Sequence, residues 1–514
     1  MSTSKKGKLS LVALSLMIFT SVYGFNNIPR AFFKMGYGAI PWYVIGGLFF
    51  FIPFAFMVTE LGSAFKDEKG GIYSWMEKAV GPKFAFIGTF MWYASYLIWM
   101  VSVSNTILVP LTNLVFGYTN LPSTVIVSII AIIWMILVTL ASLRGLDSVK
   151  KFASIGGVAV LSLNVILILG AIIVLLAHGG APATPINLHS FVSSPNPNFT
   201  PNLVSFVAFM VFAIFAYGGV ESVGGLVDQT DNPEKNFPKG IITAALIITI
   251  GYSVAILSVG FFVNYDSSWA AQAASGELHL GNVAYVMMTE LGSSVGHVLG
   301  LSDSASLTLG QFFARYTGFA MFCAYMGAFF TLIYSPIKQI ILGTPEKLWP
   351  AGLGEIQDDM PKKAMKAQFI IVVVIIVMNM LISMLDAGAA DKFFEVLTNM
   401  TNVSMTIPYL FIVIAFYRFK KNDSIDKPFV LFKSLGFTKI VVILVLLVVG
   451  FANLFTVIEP TVSYLNAAVE NRDLISTITS TVSMIAGPII FGGVAFYLMN
   501  KYEKNYPNAP LDRD

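Results

Sequence analysis

The stretch "FAYGGVESVGG", from Phe215 to Gly225, interrupts an apolar run that begins at Leu203. It contains two pairs of glycines, and Glu221 lies between the pairs. Glycine weakens a helix by about 1 kcal/mol relative to alanine, and a carboxylate at the centre of a membrane helix costs about 2.5–3.5 kcal/mol on insertion scales. The stretch therefore predicts a membrane helix that is broken near its middle.

The composition is that of a membrane protein. Of the 514 residues, 56% are hydrophobic and 11% are charged, whereas a soluble domain has roughly 25% charged residues. Apolar runs of about 18 residues or more each predict a membrane-spanning helix. We find 12 such runs, near residues 9–35, 40–65, 83–114, 122–143, 152–177, 202–227, 240–263, 309–341, 367–385, 391–418, 437–459 and 475–499. The sequence thus predicts an all-α membrane protein with 12 transmembrane helices.

The basic residues predict the orientation of the chain, because loops rich in Lys and Arg stay on the cytoplasmic side. With the amino terminus inside, 26 of the 31 basic residues fall on the inner side. The outer loops then hold Arg30, Lys34, Lys392 and Arg472, and Arg315 falls within a span. We therefore expect a multi-pass protein of the inner or plasma membrane with both termini in the cytoplasm. The net charge of +3 reflects this topology, and no nucleic-acid partner is expected.

A second interruption occurs in the first predicted span. The segment "TSVYGFNNIP", from Thr20 to Pro29, places a glycine, two asparagines and a proline inside an apolar run. The two interruptions are five spans apart, as expected for an inverted repeat with an odd number of spans per unit. We predict one transporter domain over 1–514, with a first repeat at 1–177, a second at 202–418, two additional spans at 437–499 and a short cytoplasmic tail at 500–514.

Broken helices in a membrane suggest a binding site. Unwinding exposes backbone N–H and C=O groups, and each costs several kcal/mol (roughly) in lipid unless a partner satisfies it. The amino end of a half-helix attracts a carboxylate, and free carbonyls accept hydrogen bonds from an ammonium group. The alternative is that Gly218 and Gly219 only allow close helix packing. Two breaks at corresponding positions favour a binding site for an amino acid.

Two motifs resemble those of a known family. The stretch "GGVESVGGLVDQTDNPEKNFP", from Gly218 to Pro238, resembles the sixth-span signature of the amino acid–polyamine–organocation (APC) transporters. The stretch "EKGGIYSWMEKAVGPKFAFIGTF", from Glu68 to Phe90, resembles their first inner loop. Among the branches of that family, the chain most resembles the bacterial glutamate/GABA antiporter group. The resemblance implies a five-plus-five inverted repeat with broken spans 1 and 6, two extra helices, and transport by alternating access.

The resemblance and the two breaks together give a set of predicted substrate-binding residues. These are Thr20, Tyr23, Gly24, Phe25, Asn26, Trp99, Phe215, Tyr217, Gly218 and Gly219. By resemblance, the first four meet the substrate carboxylate, Phe215 takes the position of an aromatic gate, and Tyr217 and Gly218 supply carbonyls to the amino group. Asn26 either lines the site or caps the second half of span 1. Trp99 either forms an aromatic wall or packs against lipid or core.

Glu221 is the predicted residue for gating or proton coupling, because an intramembrane carboxylate is expected to face a cavity or a partner. The alternative is a structural carboxylate that caps unwound N–H groups of span 1. The departures from the family pattern are Val22, where relatives often have a further glycine, Phe215 in place of a tryptophan, and a tail too short for the plug that closes the glutamate/GABA exporter.

The function predicted from sequence is secondary active transport, in which an amino acid is exchanged for a related amino acid or its decarboxylation product. A proton-coupled amino acid or amine symporter is the first alternative, and a channel or a non-transporting nutrient sensor are others. An enzyme or a primary pump is not expected, because the sequence has no His-Glu-x-x-His motif and no phosphate-binding loop. The expected partners are a small amino acid or amine and the lipid bilayer. No resident metal or cofactor is predicted.

Overall fold

The computed structural model describes residues 8–119, 122–143, 146–197, 199, 202–358, 360–385, 387–467 and 472–507, and the side chains of 146–150, 387–395, 397–399 and 402 are not described. The predictions for the terminal residues 1–7 and 508–514 lie outside these ranges. Within the described residues the regular elements are all helical, and β-structure is limited to two isolated bridges.

Eighteen α-helices follow one another along the chain. They are α1 (Leu11–Val22), α2 (Asn27–Met35), α3 (Ala39–Gly46), α4 (Ile52–Ala64), α5 (Ile72–Val80), α6 (Pro82–Thr106), α7 (Leu108–Phe116), α8 (Thr124–Ser142), α9 (Leu146–Ala177), α10 (Leu203–Ala216), α11 (Pro233–Val259), α12 (Ala270–Ser275), α13 (Val283–Val298), α14 (Asp303–Gly343), α15 (Lys362–Leu385), α16 (Ala387–Lys421), α17 (Leu435–Asn466) and α18 (Leu474–Asn505). Short 3-10 helices cover Gly36–Gly38, His189–Phe191, Val220–Gln229, Glu346–Leu348 and Pro350–Gly352, and π-helices cover Gly47–Phe51 and Tyr265–Trp269.

The helices are long and apolar enough for a membrane protein. In the described part of the chain, 11 helical segments could cross a bilayer. The first of them, Leu11–Ala64, has 54 residues and covers most of both the first and the second predicted spans. The chain is therefore an all-α membrane protein, as predicted, while the count of 12 spans and the inverted repeat stay predictions.

Both predicted interruptions are present. Helix α1 ends at Val22 and α2 begins at Asn27, so four residues between them lie outside both helices. Helix α10 ends at Ala216, and the chain continues as the 3-10 helix Val220–Gln229, which we call the 3-10 segment. Gly219 precedes this segment with a φ of 117°, a conformation that residues with a side chain rarely adopt. The glycines and the carboxylate of the opening stretch thus coincide with a change of helix type.

The two breaks pack directly on each other. A Cβ atom added to Gly219 would lie 2.5 Å from the backbone oxygen of Ser21, so only glycine fits this contact. The far ends of the same two elements also meet, because Leu9 N donates to Gln229 O (2.9 Å) and Asp231 N donates to Leu9 O (2.8 Å). Helix α1 and the 3-10 segment are therefore joined at both ends.

The long helix α14 holds the other side of the 3-10 segment. Gln339 Nε2 donates to Ser222 O (3.0 Å), and Lys338 Nζ donates to Gly225 O (2.7 Å) and to the carboxylate of Asp228 (2.9 Å). These side-chain bonds satisfy carbonyls in a helix type whose own hydrogen-bond geometry is poor. The 3-10 segment is therefore supported by its neighbours rather than by its own hydrogen bonds alone.

A buried ion pair fixes α4 to α16. The Glu60 carboxylate, fully buried, accepts hydrogen bonds from Lys420 Nζ (2.8 Å) and from the backbone nitrogens of Leu431 and Phe432 (2.7 Å each). One carboxylate thus neutralises a buried cation and also positions the connection that leads into α17.

Candidate functional site

A cavity of about 160 Å³ lies between the two breaks. Its walls come from α1, α2, α6, α10, α14 and α16 and from the chain at each break. Nine of the ten residues predicted to bind substrate line it: Thr20, Tyr23, Gly24, Phe25, Asn26, Trp99, Phe215, Gly218 and Gly219. The sequence prediction therefore locates one continuous concave surface, although residues from two breaks and a third span contribute to it.

Tyr217 is the predicted residue that does not line the cavity. Its side chain is fully buried behind the break, where the hydroxyl donates to Tyr43 O at 2.9 Å. The Tyr217 ring also stacks on Phe51, with the ring centroids 4.8 Å apart. The Tyr217 side chain therefore has a packing role. The prediction that the backbone carbonyl of Tyr217 contacts a ligand is independent of the side chain and stays a prediction.

The break in span 1 leaves backbone donors free. The N–H groups of Phe25 and Asn26 have no hydrogen-bond partner within the ranges that the structure describes. The physical reason is that α1 ends at Val22, so the carbonyls four residues earlier are no longer in line with these groups. Two adjacent donors at the amino end of α2 form a surface suited to an anion.

The break in span 6 leaves backbone acceptors free. The carbonyl groups of Tyr217 and Gly218 accept no hydrogen bond from any described residue. Two side-chain atoms of cavity-lining residues, Ser21 Oγ and Asn26 Oδ1, are also buried without a partner. Buried polar groups normally find partners, so a cluster of unsatisfied ones beside a cavity indicates a place for a polar ligand.

Tyr252 of α11 connects the two breaks. Its hydroxyl accepts from Gly24 N (2.9 Å) and from Asn27 Nδ2 (3.2 Å), and it donates to Ala216 O (3.1 Å). A tyrosine hydroxyl has one donor and two acceptor positions, so all of them are used here. The Tyr252 ring stacks on Tyr23 with the centroids 4.3 Å apart. One side chain therefore sets the geometry of both breaks.

The hydroxyl groups of Thr20 and Tyr23 also form hydrogen bonds within the protein. The Thr20 hydroxyl lies 2.7 Å from the backbone oxygens of both Leu16 and Ala153, and either can accept its single proton. It can therefore offer only lone pairs to a ligand. The Tyr23 hydroxyl donates to Asn164 Oδ1 at 2.6 Å, so this ring presents mainly its apolar surface to the cavity.

The Glu221 carboxylate lies behind the cavity wall and is fully buried. Its Oε1 accepts from Trp92 Nε1 (2.9 Å) and from the hydroxyls of Tyr96 (3.1 Å) and Tyr409 (3.4 Å). Its Oε2 accepts from Gly219 N at 3.1 Å. Tyr96 and Tyr409 also line the cavity, so each of these two residues touches both the cavity and the carboxylate.

These contacts correct one expectation. From sequence, Glu221 as a structural carboxylate would cap unwound N–H groups of span 1. The N–H group it caps is that of Gly219, in the break of its own span, and its side-chain partners belong to α6 and α16. Gly219 N donates to the carboxylate two residues later, and in the described part of the chain Glu221 has no side-chain hydrogen bond to span 1.

Asn26 and Trp99 have defined neighbours at the cavity. Asn26 Nδ2 donates to the Tyr325 hydroxyl at 2.7 Å, so the amide nitrogen is occupied while its oxygen stays free. The Trp99 ring packs on Phe329, with the centroids 5.1 Å apart, and still lines the cavity. Trp99 therefore packs on one face and borders the cavity on another, and its role as an aromatic wall beside a substrate stays a prediction.

Several cavity residues are absent from the sequence prediction. They are Arg30, Tyr325 and Tyr409, which line the cavity, and Tyr252, which shapes it. From sequence, Arg30 is counted with the outer loops, but it lies in α2, one helical turn beyond Asn26. A helix that begins at the break places Arg30 one turn beyond Asn26, and this spacing is the signal that would have identified Arg30 as a cavity residue.

A Gly-x-Ser-x-Gly pattern at Gly292 to Gly296 is typical of hydrolase nucleophiles, but here it lies inside the regular helix α13. A Cβ atom on Gly292 would lie 2.8 Å from Gly310 Cα, and one on Gly296 would lie 2.8 Å from Ser306 Cα. These glycines allow α13 to pack closely on α14, so the pattern reflects helix packing.

Comparison with known proteins agrees with this architecture. A family model described as amino acid permease matches residues 9–469. The chain is 48% identical over 504 residues to the inner membrane transporter YjeM of Escherichia coli (strain K12), with 96% of each chain covered. It is 24% identical over 431 residues to the aspartate/glutamate permease AcaP of Lactococcus lactis subsp. cremoris, covering 80% of this chain and 79% of that one. It is 25% identical over 264 residues to a glutamate/gamma-aminobutyrate antiporter of the same subspecies, covering 51% and 49%.

The family match includes both breaks, the cavity and the helices around them. The match to the Escherichia coli transporter extends over nearly the whole length of both proteins. The chain is therefore a membrane transporter and not an enzyme, and its substrate is a small molecule. By sequence, it belongs to the amino acid permease family.

Proposed function

We propose that this chain is a secondary active transporter that exchanges an amino acid for a related amino acid or its decarboxylation product by alternating access. The observation that carries the proposal is the set of free backbone groups at the two breaks. An α-carboxylate would accept from the N–H groups of Phe25 and Asn26, at the positive end of the α2 dipole. An α-ammonium would donate to the Gly218 carbonyl and to Asn26 Oδ1.

Exchange is supported by the names of relatives more than by any one contact. One relative is named an antiporter, and another a permease for aspartate and glutamate. In an obligatory exchanger, the empty carrier does not change state, because the breaks need a ligand to satisfy their polar groups. The free donors and acceptors around the cavity fit this requirement. The excess of basic residues on one side further supports cytoplasmic termini in the inner membrane.

Proton-coupled symport is the second candidate, and the burial of Glu221 favours it. Trp92 Nε1 and Gly219 N can only donate hydrogen bonds, so both need an acceptor oxygen on this residue. A proton on Oε2 would point at the Gly219 N–H group and weaken the cap. Protonation would then loosen the break in span 6 and couple proton binding to movement.

The test uses purified protein in liposomes that are either empty or preloaded with an unlabelled amino acid. Exchange requires that labelled amino acid enters preloaded liposomes at least about tenfold faster than empty ones. Equal uptake in both, driven by an inward proton gradient, identifies a symporter instead. Ion currents far above the turnover of a carrier, which is set by conformational steps of microseconds to milliseconds, identify a channel. Binding without flux in any condition identifies a sensor.

A further inference from the structure

Arg30 brings a positive charge to the cavity wall. It lies in α2, and its backbone nitrogen donates to Asn26 O at 3.2 Å, so it stands one turn beyond the free donors. The guanidinium Nε donates to Leu280 O at 2.8 Å, which fixes the side chain from the outer segment between α12 and α13. The side chain is only partly buried and lines the cavity itself.

The charge of Arg30 has no counterpart at the cavity. Of the described residues that line the cavity, Arg30 is the one with a charged side chain. The nearby carboxylate of Glu221 is held behind the wall by Trp92, Tyr96 and Gly219. Arg30 forms no ion pair with any residue in the described ranges, and its two terminal nitrogens make no hydrogen bond there. A partly desolvated cation without a partner is costly, so the site favours an anion beside it.

The position of Arg30 suits a second carboxylate of the substrate. Residues four apart on a helix are separated by roughly 6 Å along its axis. Side chains on a helix lean toward its amino end, and Arg30 lines the same cavity as Phe25 and Asn26. Its two free terminal nitrogens can bind a carboxylate through two parallel hydrogen bonds. The helix thus offers one anion site at its first turn and another within a turn of it.

We propose that Arg30 selects amino acids with an acidic side chain by binding the side-chain carboxylate, while the backbone at the breaks binds the α-carboxylate and the α-ammonium group. This proposal rests on the proposed transport of amino acids. It makes Arg30 a specificity-determining residue: neutral analogues of the same shape leave its charge unpaired, and cationic amines are repelled. The bond to Leu280 O would serve to hold the guanidinium in its binding position.

The test compares glutamate with glutamine and aspartate with asparagine, which match in size and differ in charge. Uptake of each is measured in preloaded liposomes for wild type, Arg30→Lys, Arg30→Gln and Lys34→Gln. Lys34 is the matched control, because it is a cation one turn further along α2 that lies over the Phe212 ring and does not line the cavity. We expect wild type to favour the acids by about tenfold or more in rate over Michaelis constant.

Arg30→Gln should abolish that preference while glutamine uptake continues, Arg30→Lys should keep part of it, and Lys34→Gln should keep all of it. Equal loss of all four substrates in Arg30→Gln would reduce Arg30 to a structural anchor and overturn the proposal. If Arg30→Gln does not insert, the wild-type ratio decides, and equal uptake of acids and amides overturns the proposal. If wild type takes up no amino acid of any charge, it is the proposed function itself that fails.

Discussion

The Tyr252 hydroxyl lies 2.9 Å from the backbone nitrogen of Gly24 and 3.1 Å from the backbone oxygen of Ala216. One side chain thereby binds the end of α10 and the gap between α1 and α2. Without it, the partly buried N–H group of Gly24 and the buried C=O group of Ala216 would each lose their partner. The geometry of the cavity therefore depends on this hydroxyl as well as on the residues within the breaks.

Replacing Tyr252 by Phe should weaken substrate binding by about 5- to 150-fold, because orphaning a buried backbone group costs about 1–3 kcal/mol. The affinity is measured with labelled amino acid on detergent-purified protein. Tyr316→Phe is the control, since its hydroxyl bonds Ser162 between two helices at 2.6 Å but lies outside the cavity. An equal loss of affinity in both variants would mean that general helix packing, rather than the shape of the breaks, is at work.

Gly219→Ala should abolish transport. Left-handed backbone costs a residue with a side chain about 1–2 kcal/mol, and here the new methyl group would also meet Ser21 O at 2.5 Å and force the breaks apart. Gly276→Ala separates these effects, because Gly276 has a φ of 79° and no atom within 4 Å of an added Cβ. Exchange rates and insertion levels are compared for the two variants. Transport by Gly219→Ala at the level of Gly276→Ala would show that the contact between the breaks is dispensable.

Glu221→Gln should slow exchange and flatten its dependence on pH. The amide keeps one acceptor oxygen, but its NH₂ group must face either Trp92 or Gly219, which both can only donate. The readout is the exchange rate between pH 5 and 8 in liposomes. Glu459→Gln is the control, because this carboxylate in α17 accepts from two serine hydroxyls away from the cavity. Superimposable pH profiles for wild type and Glu221→Gln would leave Glu221 as a structural cap.

Lys420→Met should destabilise the protein by about 3–5 kcal/mol, because it leaves the carboxylate of Glu60 buried without its cation. Adding Glu60→Gln to the same chain should recover part of the loss, since the uncharged amide can still accept from Leu431 N. Lys66→Gln breaks the solvent-exposed pair with Glu234 and should have little effect. Melting temperatures in detergent test this order. A larger effect from Lys66 than from Lys420 would contradict it.

The sequence allows the breaks to be predicted because their cause is local. Glycine pairs and a carboxylate inside an apolar run are unfavourable wherever they occur, so Gly24, Gly219 and Glu221 are visible without any knowledge of packing. The residues that contact these three cannot be predicted from the local sequence. Tyr252 is one aromatic residue in an apolar helix, and only the crossing of α11 over both gaps gives its hydroxyl three neighbours.

The difference between local sequence signals and contacts made by distant parts of the chain also determines what could be predicted for Glu221 and Arg30. The burial of Glu221 follows from its place in an apolar run, but Trp92 and Tyr409 are more than 120 residues away along the chain and in separate helices. Arg30 follows a proline at the end of an apolar run, which resembles the start of a loop. The helix instead continues to Met35, so a residue assigned to the outer surface becomes part of the cavity wall.

The backbone bridge between Leu9 and the end of the 3-10 segment connects the residue just before α1 to both broken spans. Helix α1 and the 3-10 segment touch at the breaks and again at Leu9, so we expect them to move together in the proposed alternating-access cycle. A fluorophore just before Leu9 would report this movement without any label inside the bundle. We expect a bulky fusion before Leu9 to slow transport. The same fusion after α18, which packs on α6, α16 and α17, should have no such effect, because α18 does not hold α1 or the 3-10 segment.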